Sequence, residues 1–199
     1  MAFKTLTPGA MLCPVPAVMV SCASPNDRPN IITIAWAGTV CSQPPMLSIS
    51  VRKERFSHHI LTESGEFAVN LVGEDQLRAA DLCGVKSGRD IDKFAACGLT
   101  PVPVPELAFA PAIAECPLYL ACKTQQVIEL GSHDLFIAAI VGMGVREDLM
   151  DDKGRIDLQR ARLVAYNHGV YQPLGGAIGF FGYSVAAPDV LARRMQELK

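Results

Sequence analysis

The chain has no basic tract longer than two residues and no charge excess: 18 Lys and Arg stand against 20 Asp and Glu, a formal net charge of -2. Binding to nucleic acid or to an anionic membrane through charge therefore has no support. No apolar run is long enough to span a bilayer, which takes about 20 residues; the strongest, LFIAAIVGMGV, stops well short of that. The opening stretch, MAFKTLTPGAML, has neither the apolar region nor the cleavage site of a secretory leader, so the expected compartment is the cytoplasm. C-x-x-C is absent and the 7 cysteines (Cys13, Cys22, Cys41, Cys83, Cys97, Cys116 and Cys122) are odd in number, which argues against a disulfide framework and a four-ligand zinc site. They read as small buried hydrophobes, and nothing local singles out a reactive thiol.

The familiar catalytic signatures are missing too. There is no G-x-x-x-x-G-K-[ST], no G-x-S-x-G and no H-E-x-x-H. GMGVRE begins like a dinucleotide fingerprint but places Glu147 where the last glycine belongs, late in a strand rather than before a crossover helix. Histidines number 4, and His58 and His59, being adjacent, cannot face one metal from the same side of a helix. The expectation is one packed and one exposed, with no metal site.

What is present is apolar and strand-like. Half of the 199 residues are hydrophobic and 19% are charged, enough for a substantial core. Mean hydropathy is +0.24, high enough to point to a buried interface between subunits. Residues 15–23, 31–40, 46–51 and 66–72 read as strands, and 116–130 with 134–147 as a long hairpin across a glycine-containing turn. Helices are expected at 57–65 with Ser57 as N-cap, at 74–83 ending at Gly84, at 91–98 and at 189–199 entered through Pro188. LTPVPVPELAFAPA is too proline-rich for a helix or a central strand. Strands joined by short turns, without βαβ alternation, predict a mainly β chain with inserted helices. A closed or nearly closed antiparallel barrel is the natural form, because closure removes strand edges. No linker divides residues 1–199, which read as one domain.

Charges, sparse elsewhere, gather in CGVKSGRDIDKF, where Lys86, Arg89 and Lys93 lie among Gly84, Ser87, Gly88, Asp90 and Asp92. SVRKERFSHH runs from a strand into a helix, so the polarised N–H groups near Ser57, its hydroxyl, Arg52 and Arg55 together form a place for a phosphate. Each segment alone reads more readily as capping and surface charge. Trp36, the only tryptophan, is flanked by Ala35, Ala37 and Gly38, which leave room for a flat group; alone it reads as a core residue. Asn30 precedes that strand and can hydrogen-bond in both directions. A planar ring with a phosphate tail would use all three segments.

The ordered run NIITIAWAGTV, PPMLSISVRKERFSHHIL, GEFAVNL, CGVKSGRDIDKF, GLTPVP, ECPLYLACK, VIELGSHDLFIAAIV, KGRIDL and LVAYNHGVYQPLG resembles the flavin reductase-like proteins, whose fold is an FMN-binding split barrel, with the flavoredoxins as the nearest branch. The resemblance extends from about Pro14 to Gly182 and leaves out the last seventeen residues. It implies a six-stranded antiparallel Greek-key split barrel that forms a homodimer, with one FMN per subunit near the interface. Carried over residue by residue, it implies that Asn30 and Trp36, with Ala35 and Ala37 beside the indole, lie at the isoalloxazine ring. Ser50, Val51 and Arg52 line the ring. Ser57 binds phosphate, Ser87 and Lys93 complete the phosphate or ribityl contacts, and His133 and Tyr166 reach the flavin, the latter two from the partner subunit. Arg89 is left open between facing the anion and pairing with Asp90 or Asp92.

With FMN bound, the expected activity is that of an oxidoreductase passing electrons between NAD(P)H, or an electron-transfer protein, and an acceptor. No side chain is required as acid or base, since a hydride needs only an open face of the cofactor. The alternatives are a non-catalytic FMN carrier and a flavin-free dimeric barrel.

Overall fold

A computed structural model describes residues 1–198 of the chain. In order the elements are β1 (Val15–Pro16), β2 (Val18–Cys22), β3 (Asn30–Ile34), β4 (Ala37–Ser42), β5 (Pro45–Arg52), α1 (Phe56–Ser64), β6 (Glu66–Leu71), α2 (Leu77–Val85), α3 (Lys93–Cys97), β7 (Pro101–Val102), β8 (Ala112–Ile113), β9 (Leu118–Glu129), β10 (His133–Val145), β11 (Val164–Asn167), β12 (Val170–Pro173) and α4 (Pro188–Glu197). The principal sheet is antiparallel with strand order β3-β2-β6-β9-β10-β5-β4. β1, β11 and β12 form a second, small sheet, and β7 pairs with β8.

The strand order has a geometric consequence. β3 and β4 lie at opposite edges of seven strands yet are joined by only Ala35 and Trp36. Six inter-strand gaps in a flat sheet span about 29 Å, whereas three extended residue steps reach at most ~11 Å. The sheet must therefore roll until its edges nearly meet. The Ser50 N–H donates to the Trp36 carbonyl at 2.9 Å, carrying the β4–β5 ladder one residue past Ala37 to the edge of that seam. The strand expected over 31–40 is thus interrupted at Ala35–Trp36; counted as one broken strand, it turns the seven strands into the six that the resemblance implied. The architecture is the mainly β, antiparallel split barrel expected.

Alternation explains both cores. Val18, Val20, Cys22, Ile32, Ile34, Leu47, Ile49, Val51, Phe67, Val69, Phe136 and Ala138 point into the barrel, where Ile60 and Leu61 of α1 join them. The intervening Met19 and Ile31 point outward but remain buried, because α2, α3 and the return of β11 cover them through Ala80, Cys83, Phe94 and Val164. β2 is accordingly buried at all five positions, as expected of a strand covered on both faces. The proline-rich segment runs over the barrel and is pinned by Glu66, whose carboxylate accepts from the N–H groups of Ala108, Phe109 and Ala110. Buried Asn70 helps by accepting from the Ile113 N–H and donating to the Met19 carbonyl.

Local corrections follow tertiary packing. α2 does not stop at Gly84 but runs to Val85, because a glycine lets the helix approach Thr33, where a Cβ would lie 3.3 Å from the threonine Cβ. α1 begins at Phe56 and its N-cap is Arg55, in extended conformation with no side-chain cap; Ser57 is inside the first turn and is not the cap. His133 begins β10 rather than sitting in the turn, where Gly131 takes the positive φ of 81°. α4 starts with Pro188 as expected and buries none of its residues; Lys199, the last residue expected in it, lies outside the described residues. His58 is packed edge-on to Phe136 with ring centroids 5.6 Å apart, while His59 is exposed.

Phe136 is fully buried at the centre of the barrel. Phe136→Ala is expected to lower unfolding free energy by about 3–5 kcal/mol through lost burial and the cavity left behind. Urea denaturation checks this, with the midpoint shifted and the slope unchanged.

Candidate functional site

Two clefts meet at the barrel seam, beside the start of α1. The first, of about 220 Å³, is lined by Ile32, Glu54, Arg55, Phe56, Ser57, Cys83, Val85, Lys86, Ser87, Gly88, Arg89 and Lys93. The second, of about 150 Å³, is lined by Ile32, Thr33, Ile34, Ala35, Trp36, Ser50, Val51, Arg52, Arg55 and His133. They share Ile32 and Arg55, so one continuous trough runs from the start of α1 to the indole.

The end at α1 is built to be positive. The first turn has no side-chain cap and no acidic residue, which leaves its leading N–H groups polarised, although the His58 N–H donates to the Arg55 carbonyl. Ser57 is buried and its Oγ accepts from Asn30 Nδ2 at 2.8 Å, which leaves the hydroxyl proton free to donate. The loop after α2 closes over this point at Gly88, where a Cβ would stand 2.3 Å from Asn30 Oδ1 and 2.7 Å from Phe56 Cδ1. Only glycine permits so close an approach. Arg89 then lies with its guanidinium 5.6 Å from the Phe56 ring centroid and Nη1 3.5 Å from the Glu54 carbonyl. Among the described residues it pairs with neither Asp90 nor Asp92. Asp92 instead caps α3 by accepting from the Ala95 N–H.

Lys93 departs from a free arm reaching toward an anion. It is 4% exposed, and its Nζ donates to the Ile31 carbonyl at 2.6 Å and the Cys83 carbonyl at 2.8 Å. Burial holds its pKa below the usual lysine range. The side chain fastens the end of α2 to β3 and places its ammonium in the wall of the first cleft. Two of its three donors are occupied by carbonyls rather than by a carboxylate.

The other end is flat and aromatic. Trp36 lies in the break between β3 and β4, not within a strand, and 48% of it is exposed, which overturns the core reading of the indole. His133 sits against it with ring centroids 4.7 Å apart and planes tilted by 37°. Its Nδ1 is 2.9 Å from Ser132 Oγ. Burial first, then the Arg52 charge, lowers the His133 pKa, which favours the neutral ring beside the indole. His133 is opposite Arg52 in the β10–β5 ladder, so register alone brings it to the cleft of its own chain. Val51 turns its side chain into the barrel core and lines the cleft while Ser50 and Arg52 alternate outward.

Tyr166 is elsewhere. It pairs with Val15 in the small sheet, packs against Tyr171 at 5.3 Å and lines a separate depression with Asp81 and Gly84. That depression borders the trough through Thr33, Ala35 and Val85. Of the residues singled out from sequence, the two clefts bring together Ala35, Trp36, Ser50, Val51, Arg52, Ser57, Ser87, Lys93 and His133, with Asn30 directly behind Ser57. Ala37 borders the indole from an adjoining apolar depression. Thr33, Phe56 and Lys86 also line the trough and were not singled out as ligands. Lys86 and Phe56 were visible in the two quoted segments, whereas Thr33 becomes legible only once the strand break fixes the facing of β3.

A clasp behind the trough holds its two ends in relation. Asp134, next to His133, is buried; His58 Nε2, next to Ser57, is 2.7 Å from Asp134 Oδ2, and Lys53 Nζ is 3.3 Å from Oδ1. Burial pushes the Asp134 carboxyl up, but the hydrogen bonds and charges of His58 and Lys53 outweigh it, and the net direction is down. A lowered native pKa means stability that is present above the ordinary carboxylate range and lost as pH falls through the native value. Asp134→Asn is expected to flatten that acid limb in a stability–pH profile; an unchanged limb would show the clasp to be idle. Gly88→Ala is expected to push the loop off Asn30 and Phe56, seen as faster hydrogen exchange over residues 86–92 with the barrel amides unaffected.

Residues 10–175 match the family described as flavin reductase like domain. The flavoredoxin of Desulfovibrio vulgaris (Miyazaki F) superposes with a TM-score of 0.83 at 33% identity, covering 90% of this chain and 97% of its own. The flavoredoxin of Methanosarcina acetivorans gives 0.81 at 25% identity, covering 93% and 100%. The reductase component of the 4-nitrophenol 4-monooxygenase/4-nitrocatechol 2-monooxygenase of Rhodococcus opacus is 29% identical over 124 residues, 62% of this chain and 63% of that protein. On the extent of the matched residues and the fold they form, the chain belongs to the flavin reductase like domain family.

Proposed function

We propose that the trough binds FMN and that the protein is an FMN-dependent oxidoreductase. The observation that supports this most is the shared floor of the two clefts, Ile32 and Arg55, which joins an anion-seeking end to an aromatic end in one trough. A phosphomonoester carries about -1.5 to -2 charges at neutral pH. The residues present fit that group: an uncapped helix start, the Ser57 hydroxyl, Arg55 and Arg89, a buried ammonium on Lys93, and a glycine that keeps the space clear. They fit a flat ring as well, with Trp36 and His133 on one side and the backbone of β3 and β5 beneath. The bound flavin would supply the redox chemistry, accepting a hydride and releasing electrons.

The chain's own part is binding and orientation. Arg52 places positive charge beside the ring end, which favours an anionic reduced cofactor. Neutral His133 and the indole fix the ring plane without adding charge. An apolar depression of about 430 Å³, lined by Leu12, Val15, Trp36, Ala37 and Ser48, opens next to the indole and offers a second flat molecule, such as a nicotinamide, a place to stack. This open face favours an oxidoreductase over a sealed carrier. A homodimer is part of the proposal: Val127, Leu130, Val141 and Met143 are exposed on β9, β10 and the turn between them, apolar side chains that a second copy would cover. An electron-transfer protein as donor or acceptor remains part of the same reading. No helix among the described residues is long and apolar enough to cross a membrane.

The test is spectroscopic. The purified protein is expected to be yellow, or to become so with one FMN per chain, and to bleach on anaerobic addition of NADH or NADPH. A yellow protein that bleaches only with a reduced electron-transfer protein is a carrier, and one that never takes up flavin ends the proposal. Arg55→Ala is expected to weaken FMN by about 1.5–3 kcal/mol, the range for a charge-assisted hydrogen bond. Its effect on riboflavin, which lacks the phosphate, is expected to be smaller; equal losses for both ligands would place the phosphate elsewhere.

A further inference from the structure

The cysteines are not scattered evenly over the core. Cys22, Cys116 and Cys122 are buried singly, and burial pushes each thiol up to about 12. Cys83 of α2 and Cys97, the last residue of α3, are different: their sulfurs are 3.8 Å apart although the residues are 14 positions apart in the chain. The contact ties together the two helices that flank the loop supplying Lys86, Ser87, Gly88 and Arg89 to the first cleft. Cys83 also holds that loop through its carbonyl, which accepts from Lys93 Nζ.

The two sulfurs are unequally placed. Cys83 is 1% exposed, whereas Cys97 is partly exposed and lies in the wall of an open groove of about 330 Å³ with Arg78, Leu82 and Glu115, on the far side of α2 and α3 from the trough. We propose that Cys83 and Cys97 are a reversible oxidation site, converted by a hydroperoxide into a disulfide that fastens the two helices flanking the loop. Cys97, open to the groove, attacks the peroxide O–O bond and becomes a sulfenic acid, and water leaves with the thiol proton. The Cys83 sulfur then displaces the hydroxyl, the S–S bond forms and a second water leaves. Two thiols and one hydrogen peroxide thus give one disulfide and two waters. Burial pushes the Cys83 thiol up to about 12 and shuts it away from solvent, so it is not the sulfur that meets the oxidant first. Bonding requires the sulfurs to close from 3.8 Å to about 2.05 Å.

The inference stands apart from the flavin reading, and its test uses no flavin. The reduced protein is treated with hydrogen peroxide, alkylated and mapped by mass spectrometry. The expected product is a peptide joining Cys83 to Cys97, lost on addition of dithiothreitol. Trypsin cleavage after Lys86 or Arg89 then leaves fragments that stay joined on a non-reducing gel. Cys83→Ser is expected to stop the reaction at a sulfenic acid on Cys97 that reacts with dimedone, and Cys97→Ser to abolish the cross-link. Recovery of both residues as alkylated thiols at a dose that oxidises exposed Cys13 would overturn the proposal. So would cross-links that run only to Cys13 or Cys41.

Discussion

The structure depends on the two-residue link at Ala35–Trp36. Because β3 and β4 are edge strands on opposite sides of one sheet, so short a link forces the sheet into a barrel and leaves its seam open there. The Trp36 carbonyl is satisfied by Ser50 in an extension of the β4–β5 ladder, and the small neighbours Ala35, Ala37 and Gly38 let the backbone turn without crowding. The indole is thereby excluded from the core and presented at the mouth of the trough. A larger side chain at position 35 or 37 would fill the space that the seam leaves.

Once the seam is fixed, polarity along the trough follows from what comes next in the chain. β5 ends at Arg52 and runs within a few residues into α1, so the helix begins beside the seam with its first turn uncapped. The loop from α2 to α3 reaches the same point from the outer layer and can do so only through Gly88. Lys93 then adds a positive charge from within, satisfied by carbonyl oxygens and not neutralised by an acid. A charge so placed, with no carboxylate to compensate it, suits an anion arriving from solvent.

Much of this was legible in the chain before any coordinates. Period-two runs marked the strands, and the lone tryptophan, the Ser57 helix start and the glycine-bearing basic loop marked the trough. What was not legible was set by tertiary contact. Ser57 looks like an N-cap because its local pattern fits one, but Asn30 claims its hydroxyl from 27 residues away. Gly84 looks like a helix stop, yet it serves close packing on Thr33. Lys93 looks like a surface cation because helix starts are usually solvated; only the layer of α2 over β3 shows it to be buried. Tyr166 lies in the small sheet, beside another depression of its own chain, where a single chain does not test a contact made from a partner subunit.

Trp36 is the chain's single tryptophan, so its emission reports on one place in the fold. Titrating the flavin-free protein with FMN while recording that emission tests the central claim directly. The account predicts saturable quenching that ends at one FMN per chain and is reversed when inorganic phosphate in excess competes for the helix end. Flavin binding that leaves the indole emission unchanged, or no binding at all, would contradict it.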